Sequence, residues 1–283
     1  STRRQRQNVY KRQPFNWLAF GSMATAIAAC CLPIILRLMR RPASSLPTSH
    51  VPRFTFPVWG WLGIAFTAVI WIIAWNRFPW AAPIQSHTFF PLWIGYIVVV
   101  SALTQQRKGS CLLTAQPLRI VVLFAVSAIF WWYFEYLNRF VQNWFYFGVE
   151  TFSTPRYFAF ATPPFATVLP AVMGTAEWLE TFPRFNSGFQ GWHPVPLKKP
   201  RRFAAAWLCA GTLSLSAIGL VPDLLFPMLW LSPLILITAL QALTKSTTLF
   251  APLHAGNWQR IIRLAIAGLI CGFFWEMWNS HSE

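Results

Sequence analysis

Two glutamate–asparagine pairs are the residues of this chain best placed to do chemistry. Glu135 precedes Asn138 by three positions, and Glu276 precedes Asn279 by three. At that spacing both side chains of a pair share one face of a helix. A carboxylate beside an amide can bind a cation, relay a proton or hold a polar headgroup. Burial raises the pKa of a carboxyl group, and a protonated glutamate can act as a general acid on a lipid-like substrate. If the protein is an enzyme, Glu135 and Glu276 are therefore its acid and base, with Asn138 and Asn279 as the binding groups that orient them. The competing reading is that both pairs sit solvated at a membrane boundary and pin the ends of two helices. Only seven of the 283 residues are acidic, and a carboxylate close to hydrocarbon is costly without a partner or water, which makes these two functional candidates.

The pairs close two matching segments 141 positions apart. Arg119, Ile120, Leu123, Ile129, Glu135 and Asn138 recur as Arg260, Ile261, Leu264, Ile270, Glu276 and Asn279. Most of the intervening positions exchange one apolar residue for another. Shorter echoes lie at a similar spacing, such as Ala102-Leu103-Thr104 with Ala242-Leu243-Thr244. The pattern predicts a basic N-terminal tail (1–13), a four-helix repeat (14–138), a connecting loop (139–154) and a second four-helix repeat (155–279). An even number of spans per repeat implies parallel copies related by an axis along the membrane normal. The first copy continues past its glutamate into Phe140–Tyr146, while the second stops soon after, so the repeat predicts further chain beyond Glu283.

The elements that carry these residues are legible from composition. The chain is 55% hydrophobic and 17% aromatic, with only 11% charged residues; soluble domains carry about 25%. Eight apolar segments, roughly 15–36, 56–75, 88–104, 120–137, 157–176, 203–222, 224–243 and 261–278, have the length needed to cross a bilayer. Each must satisfy its backbone internally, so each is expected to be a helix. The predicted fold is all-α: a polytopic membrane helix bundle of about eight transmembrane helices. Pro33, Pro91, Pro163, Pro164, Pro170, Pro227 and Pro233 fall within or at the edges of the spans, where each removes a backbone donor and tends to kink its helix.

The net charge of +16 does not point to nucleic acid, because the cations sit in short loops between apolar runs. Such loops fit topology signals and anionic headgroups. Lys198, Lys199, Arg201 and Arg202, just before a span, form the clearest anionic-lipid contact. Glu177 and Glu180 read as an interfacial helix end, with Arg184 at i+4 as a partner for Glu180; Asp223 reads as a turn residue. The five histidines fall in loops or termini and the five cysteines form no CxxC pair, so neither a haem nor a metal site is expected and no cofactor is implied. The basic start followed by an apolar run and Ala28-Ala29-Cys30 resembles a secretory leader, but reads here as a retained span or signal anchor.

These observations support three functional expectations. The leading one is a non-catalytic, lipid-binding membrane subunit, packed against other membrane protein subunits of a larger complex in a bacterial inner membrane. The second is a membrane-embedded enzyme acting on a lipid or isoprenoid through Glu135 and Glu276. The third is a transporter of a proton, cation or small solute.

Overall fold

The computed structural model describes residues 16–39, 54–146 and 148–280. Among them all regular structure is helical. The eight apolar segments all become helix: α1 (Trp17–Met39), α2 (Val58–Trp75), α3 (Phe89–Lys108), α4 (Pro117–Val141), the fifth broken into α5 (Thr154–Ala166) and α6 (Val168–Glu180), then α7 (Pro200–Ala217), α8 (Pro222–Leu243) and α9 (Gln259–Asn279). Seven of these spans are long and apolar enough to cross a membrane, counting α5 and α6 as one. The exception is α7, which has 18 residues; its first turn holds Arg201 and Arg202, and their polarity offsets its apolar remainder. The basic tail expected at 1–13 lies outside the described residues.

The chain divides into two compact units, 1–44 and 45–283. In the first, α1 starts where the Asn16 side chain accepts the Ala19 amide at 3.0 Å, a helix N-cap. No residue of α1 is buried.

In the second unit α2 and α3 form a tight antiparallel pair. Their contact is lined by glycine. A Cβ at Gly60 would stand 2.5 Å from the Ala102 Cβ, and one at Gly63 would stand 2.6 Å from a Val98 methyl. Gly95 faces Thr67 in the same way. Small residues let helix backbones approach closely where lipid supplies no hydrophobic drive for association. α7 and α8 form a second such hairpin, with Gly211 against Ile235 and Leu236.

The long element α5–α6 packs on α3, α4 and α9. Its break follows from three prolines. Pro163, Pro164 and Pro170 lack the N–H that would continue the ladder. At the break Thr167 turns back to Pro164, through both its amide (3.1 Å) and its hydroxyl (2.7 Å). The Phe165 carbonyl and the Leu169 amide, which would bond each other in an unbroken helix, are separated. Ser127 of α4 stands between them: its hydroxyl donates to the Phe165 carbonyl at 2.6 Å and accepts the Leu169 amide at 3.1 Å. An inserted side chain of this kind is a recognised cause of helix bending.

The core beside α6 is aromatic. Trp93, Tyr96 and Trp278 are buried and meet Trp71, Phe89, Phe274 and Trp275 edge-on or tilted. Among the described residues the Trp71, Trp93 and Trp278 indole N–H groups have no hydrogen-bond acceptor, and the near-perpendicular rings turn indole edges towards π faces instead. A polar link through this core is the Tyr96 hydroxyl with the Thr175 hydroxyl, 2.8 Å apart, with the Cys271 thiol beside them.

Candidate functional site

The spans of the second unit alternate in direction, which gives the bundle two unlike ends. One end gathers Glu135, Asn138, Glu276 and Asn279; the other gathers most of the cations.

At the first end α4 runs to Val141, past the predicted 137, and turns out at Gln142, whose φ is 51°. A non-glycine residue in this left-handed region needs support, and Asn138 supplies it. Its side-chain oxygen accepts the amides of Asn143 (2.8 Å) and Trp144 (3.4 Å), and its NH2 donates to the Trp144 carbonyl at 2.9 Å. Glu135, one turn earlier, accepts the Trp144 indole N–H at 2.9 Å and the Tyr146 hydroxyl at 2.7 Å, both on one oxygen. Loss of hydration first, and the Glu135 carboxylate second, push the Tyr146 phenol well above its ordinary pKa. Tyr146 therefore stays a neutral donor to the carboxylate. Trp144 in turn packs on Trp230 of α8, with ring centres 5.2 Å apart. The pair thus holds the loop after α4 against α8.

The second pair is differently placed. Glu276 and Asn279 are exposed at the end of α9, while their neighbour Trp278 is 1% exposed. Among the described residues no hydrogen bond or ion pair reaches the Glu276 carboxylate, and none joins it to Glu135. The two glutamates match in sequence and differ in surroundings.

At the opposite end the C-termini of α3 and α6 meet the starts of α4 and α9. Arg107 donates to the Thr181 hydroxyl at 2.7 Å and stacks 3.9 Å over the Phe182 ring. Glu177 takes Lys108 at 3.4 Å and the Leu112 amide at 2.8 Å. Glu180 pairs with Arg263 at 3.2 Å, not with Arg184, because α6 ends at Glu180 and the chain is extended at Phe182 (φ −99°, ψ 125°), so the i+4 geometry is lost. This end carries Arg107, Lys108, Arg119, Arg184, Lys198, Lys199, Arg201, Arg202, Lys245, Arg260 and Arg263 against two carboxylates, Glu177 and Glu180. The glutamate end carries Arg77, Arg139 and Arg156 against Glu135, Glu150, Asp223 and Glu276.

Lys198, Lys199, Arg201 and Arg202 are all exposed at the N-terminus of α7. A helix N-terminus already carries positive partial charge, so four cations there oppose the helix dipole. Among the described residues none of the four makes an ion pair. Beside them opens a groove of about 700 Å³, between the first half of α7 and the last half of α8. Its walls include Phe203, Trp207, Leu234 and Ile235, and its roof includes Leu197 and Phe250. Four polar residues line it, Thr238, Ser246, Thr248 and His254; Thr238 donates to the Leu234 carbonyl at 2.6 Å, the His254 ring lies 2.9 Å from the Ala251 carbonyl, and the Ser246 hydroxyl lies 3.3 Å from that of Thr244. The roof is two loop strands stitched together, with the Trp192 amide on the Gly256 carbonyl, the Val195 amide on Leu253 and the Trp258 indole on the His193 carbonyl. Pro200 lines both this groove and a shallower depression formed by Lys199, Arg201 and Arg202.

Sequence reasoning found the four cations but missed the groove. Its walls come from residues 195–207 and 234–254, which only the α7–α8 hairpin and the loop contact bring together. The sole hint was a basic cluster abutting an apolar run. Among the described residues no three histidine, cysteine or acidic side chains stand close enough to hold a metal ion. No family model, curated protein or solved structure matches the chain.

Proposed function

We propose that the protein is a lipid-binding membrane subunit that packs against other membrane proteins, with its basic end at the cytoplasmic surface of a bacterial inner membrane. The observation that carries this reading is the apolar groove opening beside four unpaired cations on an already basic face. A surface of that kind suits phospholipid: hydrocarbon for the groove and an anionic headgroup for the cations. Cytoplasmic loops of membrane proteins are enriched in Lys and Arg, and the cytoplasmic leaflet is the anionic one, so the charge asymmetry supports the orientation.

The two glutamates give catalysis less support. One oxygen of Glu135 accepts an indole and a phenol, in a role that holds a loop. Glu276 is exposed and has no described partner to act with. The packing reading also draws on large apolar side chains exposed on the helices, among them Trp61, Phe66, Leu213 and Phe273, which suit lateral packing.

The test is purification of the chain from its own membrane in a mild detergent, followed by quantitation of what travels with it. The reading expects a second membrane protein at fixed stoichiometry, retained through two chromatographic steps. A chain that elutes alone, and turns over an isoprenoid or lipid substrate in a way that E135Q abolishes, would overturn it in favour of the enzyme.

A further inference from the structure

Resting on the lipid-binding reading above, we infer that the α7–α8 groove is a site for one anionic phospholipid, one of its acyl chains between Trp207 and Leu234 and its phosphate at Lys199, Arg201 and Arg202. Three features converge on this occupant. The volume of about 700 Å³ lies within the range of roughly 300–1,000 Å³ in which pockets enclose most of a small ligand. The helix walls are hydrocarbon and aromatic apart from Thr238, whose hydroxyl is bonded to its own helix, while Ser246, Thr248 and His254 come from the loop after α8, so the space between the helices favours a chain without polar groups. Pro200 lines both the groove and the depression formed by Lys199, Arg201 and Arg202, so the two are neighbours.

The charge at the groove favours a phospholipid over a neutral hydrophobe. Cations at the N-terminus of α7 work against the helix dipole, and no carboxylate among the described residues relieves them. An anion from outside the chain relieves both. A phosphodiester is fixed at the depth where these side chains end, because its acyl chains anchor it in the bilayer. Arginine's planar fork matches a phosphate with two parallel hydrogen bonds, and Lys199 adds a point charge. Phe203, which is 49% exposed, and Trp207, which is 44% exposed, flank the opening, so a chain can enter sideways from the bilayer without unfolding the roof.

The test uses the full chain in detergent micelles with two probes, phosphatidylglycerol and phosphatidylcholine of identical acyl chains, and counts retained lipid by native mass spectrometry. The expected result is one retained phosphatidylglycerol, taken in preference to phosphatidylcholine. R201Q and R202Q each lower that preference about fivefold, the effect of one cation near an anionic surface, and the double variant about 25-fold. A242W and S246W, which fill the groove from a helix and from a loop respectively, abolish retention while leaving the four cations in place. S246W is at an exposed position, so it reports on the groove even if A242W disturbs α8. Equal retention of the two lipids by the unaltered chain, or undiminished retention by S246W, would overturn the site. If a stoichiometric partner protein still co-purifies in that event, the site fails while the subunit reading stands; a chain without a partner that still selects phosphatidylglycerol keeps the site and removes the subunit.

Discussion

Replacing Ser127 with alanine tests whether the bend in α5–α6 is held by one hydroxyl from α4. Ser127 is 2% exposed, and it bonds both the Phe165 carbonyl (2.6 Å) and the Leu169 amide (3.1 Å). Removing the hydroxyl leaves two backbone groups unpaired, the buried Phe165 carbonyl and the part-buried Leu169 amide. Each such group costs about 1–3 kcal/mol, so the two together set an upper range of roughly 2–6 kcal/mol. Partial relief would come if the helix straightened and the two groups bonded each other. Pro163, Pro164 and Pro170 oppose straightening, since a proline ring clashes with the preceding turn. We expect S127A to destabilise by about 2–4 kcal/mol, as two unpaired groups with modest relaxation. Ser232 of α8 is the control. It is also fully buried, but among the described residues its hydroxyl has no hydrogen-bond partner. Deleting a buried hydroxyl that bonds nothing removes a desolvated polar group, so S232A should be neutral or stabilising. Unfolding of both variants in one detergent gives the free energies, and amide exchange at residues 165–170 localises the effect. Equal stabilities for S127A and S232A, or no faster exchange at Leu169 in S127A, would refute the reasoning.

The two glutamates should respond unequally to the same change. E135A leaves the Trp144 indole and the Tyr146 hydroxyl without their acceptor and should cost about 1–3 kcal/mol, with a shift in tryptophan fluorescence; E276A should stay within about 0.5 kcal/mol, as exposed substitutions do. G63L places a large side chain against Val98, where even a Cβ is crowded at 2.6 Å, and should destabilise the α2–α3 pair by about 1–3 kcal/mol, read by thermal melting. G256A meets both a left-handed backbone, φ 72°, and the Trp192 amide nitrogen at 3.1 Å, so it should raise protease sensitivity of the roof at 189–197 while leaving the melting of the bundle nearly unchanged.

The positions of the helices were legible because long uncharged runs are the dominant signal in such a chain. All eight apolar segments became helix, with ends displaced by a few residues; α4 extended to Val141 because Phe140 and Val141 continue its apolar pattern. Prolines 163, 164 and 170 marked the fifth segment as one to be bent, but not the partner that repairs it. Ser127 is an ordinary serine in an apolar run, and its role exists only once α4 crosses the break. The same limit applied to the glutamates. Their matched spacing was visible, whereas Trp144 and Tyr146 reach Glu135 only after Gln142 turns the chain back. The α7 margin had a local cause in Arg201 and Arg202. The groove had none, because its two walls lie about 30 residues apart along the chain and face each other only through the α7–α8 hairpin and the loop contact.

The most direct test of the central claim is native mass spectrometry of the protein released from its own membrane in a mild detergent, with lipid and protein masses resolved in one spectrum. The account predicts a complex containing a second membrane protein in fixed ratio, with one anionic phospholipid retained on this chain when the complex is dissociated in the gas phase. A bare, monomeric chain carrying neither partner nor phospholipid would contradict it.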